Sequence, residues 1–172
     1  MELLTAISLI EKGVRASKVQ TWADFGAGDG LFTQALSTLL YTGSTINAID
    51  KKLSAMNSLS LYTPGIALKK IGADFETYNF GQLDGVLMAN SLHFIKNQLK
   101  FLQRLRTILI PNGQLIIVEY DSDKSNMWVP YPMSFETLNQ NVIAGGFRGA
   151  TKLHDVPSRF GRTNIYSAKI EF

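Results

Sequence analysis

Residues 22–30 have the sequence Trp-Ala-Asp-Phe-Gly-Ala-Gly-Asp-Gly and join a short apolar run to a helical pattern. The apolar run at 20–25 predicts a strand, and the apolar spacing at 31–41 predicts a helix. Between them lie three glycines, where the missing Cβ lets the backbone turn sharply and approach a ligand closely. Free N–H groups at the start of the following helix favour polar or anionic ligand groups. The stretch therefore predicts a ligand-binding bend, with a plain glycine turn as the alternative.

The spacing of these glycines argues against a dinucleotide-binding fingerprint. Gly26, Gly28 and Gly30 are spaced G-x-G-x-G, whereas the fingerprint needs G-x-G-x-x-G. Asp50 closes the next predicted strand about 20 residues later, where a carboxylate can accept hydrogen bonds from both hydroxyls of a ribose. The alternative role for Asp50 is the N-cap of a predicted helix at 52–61. The two roles are compatible, and we favour the ribose role.

Strand and helix patterns alternate along most of the chain. A continuous apolar run such as 83–88 is typical of a strand that is buried on both faces. Two late strand patterns have no helix between them, which predicts a terminal hairpin with a turn at 157–162. We therefore predict an α/β fold, a three-layer, doubly wound, mostly parallel seven-stranded sheet with a C-terminal antiparallel hairpin. The predicted helices are 2–14, 31–41, 52–61, 98–110 and 135–144, and the predicted strands are 20–25, 45–49, 66–71, 83–88, 114–120, 147–154 and 164–172.

Several segments together resemble the Rossmann-like class I methyltransferases that depend on S-adenosylmethionine (SAM), in particular small-molecule methyltransferases. Residues 24–30 resemble the first motif of that family, and Asp50 matches its acidic ribose ligand. Residues 72–75 resemble the segment that contacts adenine, and residues 84–94 resemble the fourth strand and its loop. The resemblance implies SAM as the cofactor.

The helix, turn and strand at 105–120 also resemble the corresponding part of that family. Asn112 replaces the usual first glycine of the turn, a change that a left-handed asparagine tolerates. Asp84 starts the fourth strand at the edge of the sheet opposite the expected site, so we do not include it among the ligands.

The resemblance implies roles for the matched positions. Asp24 and the backbones of Gly26 and Gly28 would hold the methionine end of SAM, and Asn90 would contribute from the tip of the fourth strand. Asp74 would accept a hydrogen bond from the adenine amine, and Phe75 would pack on the adenine ring. The implied cofactor-binding residues are Asp24, Phe25, Gly26, Ala27, Gly28, Gly30, Asp50, Lys51, Asp74, Phe75, Ala89 and Asn90.

Methyl transfer needs a nucleophile held in line, and a base where that nucleophile must lose a proton. His93 follows the fourth strand and is the candidate base because imidazole titrates near neutral pH; the alternative is a histidine that only shapes the pocket. Tyr120 ends the fifth strand and is a second catalytic candidate, with simple packing as its alternative. Glu119 and Asp121 flank it and could line the substrate side. The aromatic segment 122–134 could close over a small apolar substrate or be an ordinary packed loop.

The composition excludes several kinds of site. The chain has no cysteine, which removes disulfides, thiolate metal ligands and cysteine nucleophiles, and its two histidines lack metal-ligand spacing. We therefore expect no metal. The 17 Lys and Arg residues are scattered and the net charge is +3, which favours a solvated surface over a nucleic-acid track. No apolar run approaches the roughly 18 residues of a membrane span, and residues 1–14 make a poor signal peptide.

We expect one domain over residues 1–172, with an N-terminal helix (1–18), a cofactor-binding core (19–121), and a substrate-side segment with the terminal hairpin (122–172). The expected location is the cytoplasm. The expected partner is a small-molecule methyl acceptor, with no nucleic acid or membrane. The oligomeric state is left open, with a homodimer as one option.

The sequence favours a SAM-dependent methyltransferase that acts on an unidentified small-molecule acceptor. It leaves open a non-catalytic SAM-fold binding module and an RNA or protein methyltransferase. The glycine spacing disfavours a nucleotide-dependent oxidoreductase. The attacked atom does not follow from these residues.

Overall fold

A central sheet with helices on both faces organises the residues that the structure describes. The computed structural model describes residues 1–158 and 163–172, and every structural statement below refers to them. The α-helices are α1 (Leu3–Ile10), α2 (Leu31–Leu39), α3 (Gln98–Ile108) and α4 (Phe135–Ala144). The strands are β1 (Thr21–Phe25), β2 (Thr45–Asp50), β3 (Ala67–Gly72), β4 (Leu83–Ala89), β5 (Leu109–Tyr120), β6 (Gly149–Pro157) and β7 (Asn164–Glu171).

The order of the strands in the sheet is β3-β2-β1-β4-β5-β7-β6. Strands β1 to β5 are mutually parallel, and β7 is antiparallel to both β5 and β6. The predicted mostly parallel sheet with a terminal antiparallel hairpin is thus confirmed. The strand order reverses between β1 and β4, and a reversal of this kind opens a crevice at the carboxyl ends of the two strands.

Side chains alternate between two apolar layers, one on each face of the sheet. In β5, Ile116 joins the cluster under α1 and α2, whereas Ile117 joins the cluster under α3 and α4. Leu36 of α2 and Leu102 of α3 are fully buried on these two faces. Burial of such a side chain contributes roughly 1.5–3 kcal/mol to the free energy of unfolding. The packing of these two apolar layers therefore holds the strands, and with them the strand ends at the crevice, in place.

Two helix starts have the side-chain caps that their sequences favour. Asn97 precedes α3 and its Oδ1 accepts from the N–H of Lys100 at 3.1 Å. Ser134 precedes α4 and its Oγ accepts from the N–H of Thr137 at 3.2 Å. Helix α3 ends two residues earlier than predicted, because β5 begins directly after it. Asn112, near the start of β5, has φ of 63°, the left-handed conformation expected of it.

The helix predicted at 52–61 is wrong. Only a 3₁₀ turn forms there, at Leu53–Met56. The segment offers two fully packed apolar side chains, Met56 and Leu59, while Leu53 is half exposed. Serine and asparagine fill several other positions, and these residues favour turns over helix interiors. The segment lacks the apolar stripe that tertiary packing would need to stabilise a helix.

The first and last predicted elements need smaller corrections. The helix predicted at 2–14 forms as α1 and continues as a 3₁₀ turn at Glu11–Gly13. The turn predicted at 157–162 falls largely on residues 159–162, which lie outside the described residues. Within the described ranges, no helix combines the length and apolarity needed to cross a lipid bilayer.

Candidate active site

The glycine bend follows β1 at the carboxyl end of the sheet. Gly26, Gly28 and Gly30 have φ of 78°, 55° and 87°, a left-handed backbone that favours glycine. The N–H groups of Gly26 and Ala27 both donate to the carbonyl oxygen of Ile49, at 2.9 and 3.0 Å. These bonds tie the bend to the end of β2.

The glycines differ in what surrounds them. A Cβ at Gly26 would lie 2.6 Å from the Cβ of Ser91, which is closer than two carbon atoms can approach. A Cβ at Gly28 would meet no atom nearer than the carbonyl oxygen of Gly26, at 4.0 Å. Gly26 is therefore required by packing against the loop after β4. Gly28 faces open space, as expected of a position that a ligand approaches.

Asp50 ends β2 and faces the bend. Its Oδ2 accepts from the N–H of Gly28 at 3.1 Å, and its Oδ1 accepts from the N–H of Lys52 at 2.8 Å. The proposed N-cap role fails because no α-helix follows, and the Lys52 contact closes only a short turn. The carboxylate is partly exposed beside the bend, a position that leaves it accessible to a ligand hydroxyl.

A crevice of about 190 Å³ lies between the carboxyl ends of β1 and β4. It is smaller than the roughly 300 Å³ of typical ligand pockets, so its enclosed part holds only a fraction of a nucleoside-sized ligand. The lining residues are Met1, Asp24, Gly26, Ala27, Gly28, Asp29, Leu31, Phe32, Ala89 and Asn90.

Two buried polar atoms near this crevice have no hydrogen-bond partner among the described residues, Asn90 Oδ1 and Ser91 Oγ. Asn90 has φ of 53°, and its N–H donates to the carbonyl oxygen of Val118 at 2.8 Å. A buried acceptor without a partner costs about 1–3 kcal/mol, and a ligand donor can remove that cost. The side chain of Asn90 is therefore the observation that points most directly to a polar ligand in this crevice.

Asp24 is fully buried beneath the bend. Its Oδ2 accepts from the hydroxyl of Thr33 at 2.6 Å. The pKa of Asp24 is raised from 3.8 to about 7: burial is the main cause, the Thr33 hydrogen bond lowers it, and the charge of Asp50 contributes to the rise. Asp24 is thus a carboxyl group that gains or loses its charge near neutral pH, and a cationic ligand group would favour its charged form.

The residues expected to contact adenine lie at the ends of β2 and β3. The ammonium of Lys51 forms an ion pair with Asp74 Oδ2 at 3.1 Å, and Asp74 Oδ1 accepts from the N–H of Glu76 at 2.9 Å. Phe75 is buried, and its ring stacks on that of Phe25 with centroids 5.4 Å apart. The ring of Phe75 supports the bend from below, and its expected contact with adenine stays a prediction.

His93 and Glu119 form a buried pair behind the loop after β4. The Nδ1 of His93 lies 2.6 Å from Glu119 Oε2, and the backbone N–H of His93 donates to Glu119 Oε1 at 3.2 Å. His93 and Glu119 are 3% and 1% exposed, so Glu119 does not line the substrate side as expected. The rings of His93 and Tyr120 have centroids 6.3 Å apart.

Tyr120 contributes to the wall of a larger cavity of about 690 Å³ beside the end of β5. Burial raises the pKa of Tyr120, and the charge of Glu119 raises it further. The segment expected to flank the substrate supplies much of this wall. The lining residues are Tyr120, Ser122, Lys124, Asn126, Trp128, Val129, Pro132, Ser158 and Thr163.

Two carboxylates named in the sequence analysis, Asp121 and Asp84, bind structural partners outside the crevice. Asp121 accepts from the N–H of Phe135 at 2.9 Å and pairs with the ammonium of Lys152 at 3.0 Å. Asp84 accepts from the N–H of Thr21 at 2.8 Å, at the start of β1 and away from the crevice. The structure describes no group of three or more histidine and acidic side chains that could hold a metal.

Residues 23–117, more than half of the chain, match the sequence pattern of a methyltransferase domain family. The chain belongs to that family. S-adenosylmethionine is the family's cofactor, which confirms the cofactor and the class I resemblance. One curated relative of this methyltransferase domain is the probable polyketide synthase 5 of Dictyostelium discoideum, 26% identical over 99 residues. These residues are 58% of this chain and only 4% of that protein.

Solved structures share the fold of this methyltransferase domain. The YcgJ protein from Bacillus subtilis has a TM-score of 0.74 and 10% identity, and the match covers 98% of both chains. The 1,6-didemethyltoxoflavin-N1-methyltransferase of Burkholderia thailandensis, solved with 1,6-didemethyltoxoflavin and S-adenosylhomocysteine, has a TM-score of 0.69 and 17% identity. That match covers 99% of this chain and 78% of the other.

Proposed function

We propose that this protein transfers the methyl group of SAM to a small-molecule acceptor. The observation that carries the proposal is the crevice between β1 and β4, which is lined by Gly28, where a Cβ would meet open space, and by Asn90, whose buried Oδ1 has no partner among the described residues. Packing alone does not explain either feature. A polar ligand that enters between the two strand ends explains both.

The residues around the crevice form three groups, and each group suits a different part of SAM. Asp24, the bend at 26–30 and Asn90 surround the enclosed part, which suits the methionine end with its cationic ammonium. Asp50 lies one strand further and suits the ribose hydroxyls. Lys51 and the segment at 74–75 lie beyond it and suit the adenine. The crevice is too small for the whole cofactor, so this arrangement extends the ligand across the ends of β2 and β3.

The cofactor supplies an electrophilic methyl group on a sulfonium. The chain's own contribution is to hold the acceptor in line and away from water, and good positioning alone can lower a barrier by about 7–11 kcal/mol. Tyr120 lines the larger cavity directly and is the residue best placed to contact the acceptor. The volume of that cavity, about 690 Å³, lies within the range of small-molecule sites.

His93 is buried near Tyr120 and is held by Glu119. In this arrangement Glu119 fixes the orientation of the imidazole, and His93 fixes the loop that carries Asn90. A catalytic base role for His93 stays a proposal, because His93 is 3% exposed and is not among the described residues that line the larger cavity. The cytoplasmic location and the division of the chain into three segments also stay predictions.

A thermal-shift comparison tests the cofactor part of the proposal. We expect SAM and S-adenosylhomocysteine to raise the melting temperature, because ligands that bind only the folded state stabilise it. NAD and NADP should leave the melting temperature unchanged. A shift with NAD alone would reject the assignment. A methyl-transfer screen over a metabolite library then tests catalysis, and a protein that binds SAM but methylates no compound would favour a non-catalytic binding module.

A further inference from the structure

The larger cavity beside β5 combines an aromatic wall with one cationic side chain. Tyr120, Trp128, Val129 and Pro132 present rings and apolar surface to it. Among the described lining residues, Lys124 alone carries a charge. Trp128 is 76% exposed, although a large aromatic side chain is usually buried. These features indicate a surface that a flat apolar ligand would cover.

The base of the segment that carries Trp128 is held in place. The N–H and hydroxyl of Ser134 donate to the carboxylate of Asp123, at 2.9 and 2.8 Å. The N–H of Tyr131 donates to the carbonyl oxygen of His93 at 3.0 Å. The base of this segment therefore has a fixed position relative to the loop after β4, while the tip of the segment projects beside the cavity.

The carboxylates nearest to Lys124 in sequence are already bound elsewhere. Asp121 pairs with the ammonium of Lys152, and Asp123 accepts both hydrogen bonds from Ser134. No carboxylate of the described residues forms an ion pair with Lys124. Among the described residues, the ammonium of Lys124 therefore contributes a positive charge without a carboxylate partner to a cavity whose other lining side chains are apolar, aromatic or neutral and polar.

We propose that the acceptor site selects a planar, apolar molecule that carries an anionic group, with its ring against Trp128 and its anion beside Lys124. This inference rests on the proposed function, because it assigns the larger cavity to the acceptor. A carboxylate at this position would gain a charge-assisted contact with Lys124. A neutral ligand of the same shape would gain only the apolar and aromatic contacts.

The test compares 2-naphthoate with its neutral analogue 2-naphthamide, titrated calorimetrically into the full chain with and without S-adenosylhomocysteine. We expect the acid to bind about fivefold more tightly than the amide, the effect of a partly exposed ion pair. Lys124→Gln should remove this preference, whereas Lys124→Arg should keep it. Lys100→Gln is the matched control, since Lys100 is exposed on α3 away from the cavity, and it should leave the preference unchanged.

Tryptophan fluorescence locates the bound probe. Trp22 is fully buried in β1 and Trp128 lines the cavity, so 2-naphthoate should perturb the emission of the wild type and leave that of Trp128→Phe unaffected. Equal binding of acid and amide, no binding of the acid, or an unchanged preference in Lys124→Gln would each overturn the inference. Failure of S-adenosylhomocysteine to bind would instead overturn the proposed function, because the titrations run without it still report on the naphthoate site alone.

Discussion

The carboxylate of Asp50 accepts a hydrogen bond from the backbone N–H of Gly28 at 3.1 Å. This bond joins the tip of β2 to the middle of the glycine bend. The other carboxylate oxygen of Asp50 accepts from the N–H of Lys52, so both oxygens are oriented by backbone donors. A side chain held in this way is positioned before a ligand arrives, which lowers the entropy lost on binding.

Substitution of Asp50 should therefore weaken cofactor binding strongly. Asp50→Ala removes the charged acceptor for ribose hydroxyls, and a hydrogen bond to a charged group contributes about 1.5–3 kcal/mol. We expect the Kd of S-adenosylhomocysteine, measured calorimetrically, to rise by about 10- to 100-fold, and most of the thermal shift to disappear.

Asp84→Asn is the control for this experiment, because Asp84 is also a partly buried carboxylate that accepts from a backbone N–H. It lies at the start of β4, at the opposite edge of the sheet from the crevice. Its substitution should leave the Kd unchanged. An equal loss of affinity in both variants would contradict the role that we assign to Asp50.

Two glycines of the bend should respond differently to alanine. Gly28→Ala places a methyl group in open space beside the crevice, at the cost of about 1–2 kcal/mol for a left-handed alanine. Gly26→Ala adds a collision with the Cβ of Ser91, which cannot move without its backbone, so we expect a total loss of about 3 kcal/mol or more. Urea unfolding measures both losses.

The cofactor affinity separates these two effects. Gly28→Ala should raise the Kd of S-adenosylhomocysteine about tenfold despite its mild effect on stability, because the new methyl group occupies space on the ligand side. If Gly28→Ala bound the cofactor as tightly as the wild type does, the ligand would not approach this side of the bend.

The fold was predictable because its signals are local and repeated. The run Leu115–Val118 is apolar at every position, as required for a strand covered on both faces, and Asn97 and Ser134 mark helix starts by their capping side chains. The helix predicted at 52–61 fails because local propensity did not reveal how few side chains that segment buries, only Met56 and Leu59.

The meeting of the glycine bend with Asp50 was predictable, because both lie at the carboxyl ends of neighbouring strands; their role in binding stays a prediction. Thr33 and Glu119 show what pattern analysis misses, because each acts on a residue distant in sequence, Asp24 and His93 respectively. Glu119 carried a usable signal, since a carboxylate that directly follows four buried apolar residues needs a buried partner. The identity of that partner depends on how β5 packs beside the loop after β4.

The His93–Glu119 pair should contribute to stability through its mutual contact. His93→Leu leaves the buried side chain of Glu119 with a single backbone donor, and a buried polar group that loses a hydrogen-bond partner costs about 1–3 kcal/mol. We expect urea unfolding of the His93→Leu, Glu119→Leu double variant to show a smaller loss than the two single losses added together.

His154→Leu provides the comparison, because the second histidine is exposed on β6. It should change the free energy of unfolding by no more than about 0.5 kcal/mol. Additive losses in the double variant would show that His93 and Glu119 do not stabilise each other.

Asp24 should make stability depend on pH. Its folded-state pKa of about 7 lies above the ordinary value of 3.8, so the folded state holds the proton more tightly than the unfolded state does. The resulting stabilisation is complete below about pH 4 and is lost as the pH rises through about 7, a loss of about 4 kcal/mol. Asp24→Asn should be close to the wild type at about pH 4 and more stable than it at about pH 8 in urea unfolding. A constant difference between the two proteins across this range would contradict the raised pKa.

The same group should make cofactor affinity rise with pH. The ammonium at the methionine end of S-adenosylhomocysteine favours the ionised form of Asp24, and with a pKa of about 7 the ionised fraction grows about tenfold between pH 6 and pH 8. The Kd, measured calorimetrically, should therefore fall by up to about tenfold over this interval in the wild type. In Asp24→Asn, the remaining pH dependence of the Kd comes from ionisation of the ligand alone. It should therefore be smaller than the pH dependence of the wild type. Equal pH profiles would place the ammonium away from Asp24 and would require a different orientation of the methionine end in the crevice.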